Sequence, residues 1–487
     1  MAENKTVIIT IDDQKIEAPV NQPILQTALD HGIPIPYFCY FADLMPDGNC
    51  RMCLVEIEKI KKPVISCLTY PTEGMIVRTQ TDKVKAARKS VLEFILRYHP
   101  LDCPICDKVG ECLLQANYFD HSGEASHVAD PYTKLRSPKL QKFSDRILFD
   151  GERCIKCARC TRFTTEVSKT YWLGLVDRGE HSTVAAIPGI KDNYSDCVAD
   201  LCPVGALTTT AFRFKARVFT LQSTQSVCTL CSRGCNTVIQ HKHNEIYRVM
   251  PRRNVEVNKS WMCNAGRDLT PYLGRPRCST ARQAGKEVPY PQAIEQFKTL
   301  LGNLNLNKKK AGKVLAIAST FGSDQEQAAF VKLFRDALTA EVLFKTDSTL
   351  YREEYPADQL LITGDKNPNR YPLVNTYKLQ EIGNQTPIDN LDLLVVWGEG
   401  LANNLWDDKR RSLLTKAKTK VLLTPFEEAA NSAYDLVIPV PTFVEKTGTF
   451  TNVDGKTSRF LCVMSLYPHL KDESTLFDEL RLAVEKT

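Results

Sequence analysis

No apolar run in this sequence approaches the ~18 residues needed to cross a bilayer, so a soluble chain is expected. The opening MAENKTVIITIDD has neither the basic start nor the apolar stretch of a secretory signal, so no export is indicated and a cytosolic side is expected. Charge of neither sign predominates. Sixty-three Lys+Arg against 57 Asp+Glu leave a formal +6, too mild and dispersed to argue for nucleic acid. The densest basic stretch, Lys308, Lys309 and Lys310 beside Gly312, reads as a solvated loop. No internal repeat or low-complexity tract stands out. With 487 residues, 43% hydrophobic and 25% charged, the chain should hold about three folding units, more if some are small and metal-stapled.

Cysteine is what the sequence has in excess. A chain kept in a reducing compartment has little use for disulfides, and its thiolates usually hold metal. Fifteen of the 18 cysteines lie in four groups before residue 264. Cys197, Cys278 and Cys462 stand apart, and Cys278 and Cys462 read as packing residues.

Around these groups the patterning predicts small mixed domains. Val7, Ile9 and Ile11 alternate, Asp12-Asp13-Gln14 turns the chain, and Ile16 with Val20 continues as a second strand. Asn21 is placed to cap a helix with Pro23 in its first turn and Ile24/Ala28 and Leu25/Leu29 on one face. A longer helix is expected from Asp82, burying Val84, Ala87, Val91, Phe94 or Ile95, and Tyr98, and ending near His99 before Pro100. Residues 123–145 read as a linker. Strand-like alternation returns in VFTLQ, NTVIQ and EIYRVM. Beyond about residue 285, KVLAIAS, DLLVVWGEG and KVLLTPF alternate with helical stretches, which predicts an open α/β sheet with parallel strands.

The first group is Cys39, Cys50, Cys53 and Cys67, spaced C-x10-C-x2-C-x13-C in a loop after the first helix. Its order matches plant-type ferredoxins with a longer first spacer, and points to a [2Fe-2S] cluster, with zinc as the alternative. The second is His99, Cys103, Cys106 and Cys112, a C-x2-C-x5-C set completed by a histidine at a helix end. Imidazole in place of one thiolate makes a cluster less negative and raises its potential. The third is Cys154, Cys157 and Cys160, whose fourth partner is Cys202, before Pro203, or its competitor Cys197. Thr164 stands where a two-cluster ferredoxin would place its next cysteine, so one cluster is expected. The fourth is Cys228, Cys231, Cys235 and Cys263, spaced C-x2-C-x3-C-x27-C, which suits a [4Fe-4S] cluster or zinc. Several clusters on one chain imply electron transfer.

These motifs resemble the family of large iron–sulfur subunits, of the G type, in bacterial NADH-quinone oxidoreductase, respiratory complex I. The resemblance implies one [2Fe-2S] and three [4Fe-4S] clusters on the sixteen donors named above. It also implies an α+β and α/β multidomain fold. Residues 1–82 would be a β-grasp, plant-type ferredoxin-like domain, 83–122 a helical His/Cys cubane module, and 140–215 a bacterial-ferredoxin-like module. Residues 217–275 would carry the fourth cluster, which lies off the main route in the members that keep it. Residues 276–487 would be a truncated molybdopterin-oxidoreductase-like α/β domain. Glu445, Gly448, Thr449, Asn452 and Gly455 look like that superfamily's E-x2-G-T-F-x-N segment. Ala265 stands where catalytic members carry Lys, and only about 220 residues follow Cys263, so no molybdenum cofactor is expected.

Gly398 to Gly400 lack the further glycine and acidic residue of a dinucleotide fingerprint and read as a strand-to-helix turn. No FMN, NAD or quinone site is evident, and no catalytic residue is assigned. NADH oxidation and quinone reduction would belong to partners: a flavin and NADH-binding subunit, a [2Fe-2S] subunit, and subunits connecting to the quinone site. The resemblance places the chain in the peripheral arm on the cytoplasmic face of the inner membrane, touching the membrane only through partners. An electron-transfer subunit of an NAD-linked hydrogenase or formate dehydrogenase has the same chemistry and remains the alternative. A zinc-stapled scaffold is the other class.

Overall fold

Alternating Ile9 and Ile11 drive the first strand, β1 (Thr6–Ile11), against β2 (Gln14–Pro19). Asp12 and Asp13 join them in the left-handed conformation, with φ of 46° and 70°. That two-residue turn matches the twist of a hairpin. The computed structural model describes residues 5–122, 137–269, 273–306, 313–345, 355–382, 390–398 and 413–486. The basic stretch at Lys308 to Lys310, Gly312, Glu399, Gly400 and most of the expected linker lie outside these residues.

The chain divides into two units, residues 1–221 and residues 222–487. In the first, β3 (Leu54–Ile57), β4 (Val64–Ile65) and β5 (Ile76–Arg78) complete a five-stranded sheet of order β2-β1-β5-β3-β4, in which β1 and β5 run parallel. Helix α1 (Ile24–Asp30) covers it, burying Ile24, Leu25 and Ala28 against Ile9, Ile11, Ile16, Val55 and Val77. Asn21 does not cap this helix. Pro23 is its N-cap, and the first free N–H groups are satisfied instead from the loop of Cys67, Ile24 donating to Thr69 O (2.9 Å) and Leu25 to Ser66 O (3.1 Å).

Helix α2 (Asp82–Leu96) begins at Thr81, whose hydroxyl accepts from Val84 N at 3.2 Å. Its buried stripe is Val84, Arg88, Leu92 and Leu96, so the expected face is corrected by part of a turn, and Phe94 is exposed. The pattern failed because a charged residue, Arg88, is one of the core positions. Helix α3 (Leu113–His121) follows, and then β6 (Gln141–Lys142), β7 (Ile147–Phe149), α4 (Arg159–Glu166), a hairpin of β8 (Leu173–Val176) and β9 (Thr183–Ala186), α5 (Cys197–Leu201) and β10 (Leu207–Thr209). Strand β7 lies between β10 and β6.

VFTLQ is not a strand throughout. Val218–Thr220 forms a 3₁₀ turn because Arg217 is tied by its guanidinium to Cys106 O (2.7 Å) and Pro104 O (2.6 Å). The second unit starts with an antiparallel meander, β11 (Gln222–Val227), β12 (Asn236–Lys242) and β13 (Glu245–Pro251), and the short helix α6 (Asn264–Arg267).

An eight-stranded sheet follows. Its hairpin β14 (Ala281–Gln283) and β15 (Lys286–Val288) and helix α7 (Tyr290–Leu306) precede β16 (Val314–Ser319), α8 (Asp324–Val331), β17 (Glu341–Lys345), β18 (Gln380–Glu381), β19 (Leu391–Trp397), β20 (Ala417–Thr424) and β21 (Leu436–Pro439). The hairpin β22 (Gly448–Thr451) and β23 (Thr457–Phe460) and helix α9 (Glu473–Glu485) close the unit. The parallel strands stand in the order β18-β17-β16-β19-β20-β21, the doubly wound arrangement, with its switch point between β16 and β19. Trp397, at the end of β19, fills that crevice. A Cβ on Gly322 would lie 2.1 Å from its ring, and the space left beside it is about 30 Å³. Lys446 is buried below, bonded to Glu326 (2.7 Å) and Glu473 (2.9 Å). No described helix is long and apolar enough to cross a membrane.

Candidate metal centres

The first expected group converges on the loop between α1 and β3. Cys39, Cys53 and Cys67 are buried and Cys50 half-buried. Cys39 N–H donates to Cys50 Sγ at 3.4 Å. Hydrogen bonds from the Cys50 and Cys67 thiols pull Cys39 down to about 2, while the same bonds push Cys50 and Cys67 up. A hydrogen bond from Cys67 likewise lowers Cys53 to about 7, so charge is concentrated on Cys39 and Cys53, since further ionisation sets like charges side by side. Gly48 admits the loop's close approach: its φ is 72°, and a Cβ there would meet Leu68 at 2.5 Å.

The second group lines a cavity of about 220 Å³ together with Leu96, Leu114 and Arg153. His99 enters it because its N–H still bonds to Ile95 O (3.2 Å) one turn beyond α2. Cys112 is the N-cap of α3, its Sγ accepting from Gln115 N at 3.4 Å. Burial pushes Cys106 up, and Cys112 up to about 11. Arg153 is held by Asp102 (2.6 Å) and Asp150 (2.8 Å). A Cβ on Gly205 would come within 2.3 Å of Cys106 Sγ, so only glycine lets that segment form the wall.

The third group surrounds a small cavity lined by Cys154, Cys157, Cys160 and Cys202, with Phe149, Val184, Val204 and Leu207. Lys156 and Ala158, between the cysteines, take φ of 56° and 57°. Two left-handed residues cost about 1 kcal/mol or more each, and they wind the CIKCARC segment so that its sulfurs face one point. Burial raises Cys154 to about 12 and Cys157 to about 11. Cys197 is buried at the start of α5 and is not among the lining residues.

In space this third group lies between the other two. Leu113 N, next to Cys112, donates to Pro203 O (2.9 Å), next to Cys202. On the other side Arg162 of α4 bonds through its guanidinium to Cys39 O and Met45 O, and Glu166 accepts from Met45 N at 2.9 Å.

The fourth group belongs to the second unit. Cys228 N bonds to Cys235 O at 2.8 Å, and Cys263 is the N-cap of α6. Burial pushes Cys228 and Cys235 up, and Cys263 up to about 11. A Cβ on Gly266 would lie 2.8 Å from Cys228 Sγ. The loop between β11 and β12 is clamped by the β22–β23 hairpin: Val453 N donates to Ser232 O (2.9 Å), Asn452 Nδ2 to Arg233 O (3.2 Å), and Arg233 pairs with Asp454 (2.6 Å). Of the E-x2-G-T-F-x-N residues, Asn452 thus holds this loop. Glu445 instead accepts from Thr442 N (2.8 Å) and pairs with Arg277 (2.8 Å). Thr449 donates to Asp324 (2.7 Å), Gly448 lies against Ser323, and Gly455 against Tyr371. Ala265 is buried in α6. Cys278 is buried, whereas Cys462 is exposed. Sequence patterning missed the buried arginines beside the thiols, Arg88, Arg153 and Arg159, although two of them lie inside or next to a cysteine motif.

Four family descriptions match the chain. They are a 2Fe-2S iron–sulfur cluster binding domain over residues 4–82 and the NADH-ubiquinone oxidoreductase-G iron–sulfur binding region over 88–126. The NADH-quinone oxidoreductase subunit 3 ferredoxin-like domain matches 144–208, and the NADH-ubiquinone oxidoreductase NDSU1/NuoG-like 4Fe-4S domain 221–269. The NADH-quinone oxidoreductase G subunit of Streptomyces coelicolor is 40% identical over 59% of this chain and 35% of its own length. The G subunit of Rickettsia prowazekii is 37% identical over 65% of this chain and 46% of its own length. The mitochondrial NADH-ubiquinone oxidoreductase 78 kDa subunit of Neurospora crassa is 35% identical over 64% of this chain and 43% of its own length. The chain thus spans less than half the length of these curated relatives. A chain of an NAD+-reducing [NiFe]-hydrogenase crystal structure aligns at 27% identity and TM-score 0.40, covering 44% of this chain and 91% of that one. Residues 4–82, 88–126, 144–208 and 221–269 thus match iron–sulfur domains, three of them described from NADH-quinone or NADH-ubiquinone oxidoreductase, and the relatives include NADH-quinone oxidoreductase G subunits.

Proposed function

We propose that this chain is an electron-relay subunit of an NADH-quinone oxidoreductase, complex I. A [2Fe-2S] cluster would be held by Cys39, Cys50, Cys53 and Cys67. Three [4Fe-4S] clusters would be held by His99 with Cys103, Cys106 and Cys112; by Cys154, Cys157, Cys160 and Cys202; and by Cys228, Cys231, Cys235 and Cys263. The observation that carries the reading is the sharing of walls among the three donor groups of residues 1–221, with the Cys154 group in the middle. Soft sulfur donors in water-poor pockets suit iron and sulfide.

When bound, such clusters supply one-electron oxidation and reduction. The chain's own residues exclude water from the sites and aim backbone N–H groups at sulfur, as Cys39 does to Cys50, Gln115 to Cys112 and Lys156 to Cys154. Such bonds tune potential. Flavin, NADH and quinone chemistry would belong to partners: the flavin subunit, a [2Fe-2S] subunit and the subunits leading to quinone. The chain would sit in the peripheral arm at the cytoplasmic face.

Residues 276–487 read as a reduced molybdopterin-oxidoreductase-like domain whose remaining task is to clamp the Cys228 group. Ala265 in place of the expected lysine and Trp397 filling the crevice support a domain without molybdenum chemistry.

Iron and sulfide analysis with EPR of the reduced protein should find roughly fourteen irons and both binuclear and cubane signals. A colourless, zinc-filled, EPR-silent protein would overturn the reading. Co-purification with a flavin-bearing subunit and membrane-bound partners separates complex I from a hydrogenase or formate dehydrogenase.

A further inference from the structure

Arg159 lies within the CARC segment, only 4% exposed, and lines the cavity of the Cys154 group. Its guanidinium stands over the rings of Tyr37 (5.8 Å) and Phe41 (5.5 Å), which flank Cys39 in sequence. Its Nη1 donates to Leu201 O at 3.1 Å, next to Cys202, while Nε and Nη2 are buried with no acceptor. No carboxylate among the described residues bonds it. Arg153, by contrast, is neutralised by Asp102 and Asp150.

An arginine stays protonated in proteins, and a buried cation without a counter-charge is strongly unfavourable. Burial acts most on Arg159 and pulls its pKa down, while Cys157, Tyr37, Cys202 and Cys39 oppose that shift. The guanidinium thus lies between the Cys154-group cavity and the rings beside Cys39. The neighbouring turns of α4 hold it there, since Arg162 and Glu166 fasten the same helix to the Cys39 loop.

We propose that Arg159 is a potential-setting residue, a fixed cation shared by the Cys39 and Cys154 groups that favours the reduced state of both. The inference rests on those two groups holding iron–sulfur clusters, as proposed above. Reduction adds negative charge, and a nearby cation screened by little water lowers the free energy of that charge. Both midpoint potentials are therefore higher than they would be without the guanidinium. The His99 group, whose cavity Arg159 does not line, forms an internal control.

The test is an EPR-monitored redox titration of the cluster-loaded chain as wild type, Arg159→Met and Arg159→Lys. The Cys154-group signal is identified as the one lost in Cys202→Ser. Arg159→Met should lower the potentials of the binuclear and Cys154-group signals together and leave the His99-group signal in place. Arg159→Lys, which keeps the charge, should stay near wild type. If Met loses both clusters while Lys keeps them near wild-type potential, the positive charge is needed for assembly and the proposal stands. Unmoved potentials in Arg159→Met with full iron content overturn it. So does a Lys variant shifted as far as Met, or loss of clusters in both variants, because the residue would then be packing support. Absence of both signals from the wild type would instead remove the site assignment itself, and the proposal with it.

Discussion

The donor groups of residues 1–221 are built into one another, whereas the Cys228 group is walled by its own unit. Gly205, Arg153 and Pro203 belong to the third module by sequence, yet they form or brace the cavity of His99, Cys103, Cys106 and Cys112. Arg162 likewise belongs to α4 and holds the carbonyl of Cys39. The Cys228 loop is fixed by Asn452, Val453 and Asp454, from a hairpin more than two hundred residues later in the chain. Shared walls keep sites close, as serial transfer requires. A clamp from a later hairpin of the same unit holds the Cys228 loop in place.

The largest expected effect is at a shared wall. Gly205→Val would drive carbon into Cys106 Sγ and should remove the second site, about four irons per chain by colorimetric assay. Because the same segment carries Cys202, the Cys154-group signal should also change. If it does not, the two walls are independent and the contrast between the units weakens. A smaller effect is expected at the clamp. Asn452→Ala loses its bond to Arg233 O and its turn contacts to Asp454 and Lys456. It should destabilise the second unit by roughly 1–2 kcal/mol in denaturant unfolding and leave the signals of residues 1–221 unmoved. The smallest is a change of ligand alone. His99→Cys should retain the irons but lower the potential of that cluster, since thiolate adds negative charge. An unchanged potential would argue that His99 does not bind the cluster.

Much of the site was legible in the sequence because metal donors must be particular residue types, and short spacers fix which of them can share a point. The paired cysteines of C-x2-C segments come together by local turns such as those at Lys156 and Ala158. The parallel strands were legible for a related reason: KVLAIAS, LDLLVVW and KVLLTP are apolar on both faces, as strands covered on both sides must be. The α2 stripe was misread at Arg88, because apolar periodicity gives no place to a cation that reaches Leu54 O (2.8 Å) from the core. The cap of α1 was misassigned to Asn21 because its N–H groups are met from a loop some forty residues away. The strand expected at VFT is a turn because Arg217 is anchored elsewhere.

By itself, the sequence determined which side chains have the chemistry of metal donors, how they are spaced, and where strands and helices alternate. These depend on residue chemistry and on separations of a few bonds. Only the tertiary structure decided that Cys202 and not Cys197 faces the third cavity, and that the third group stands between the first and second. It alone placed Arg159 between two sets of sulfur. Those outcomes depend on which distant segments pack together, and packing is set by the whole buried surface rather than by any local spacing.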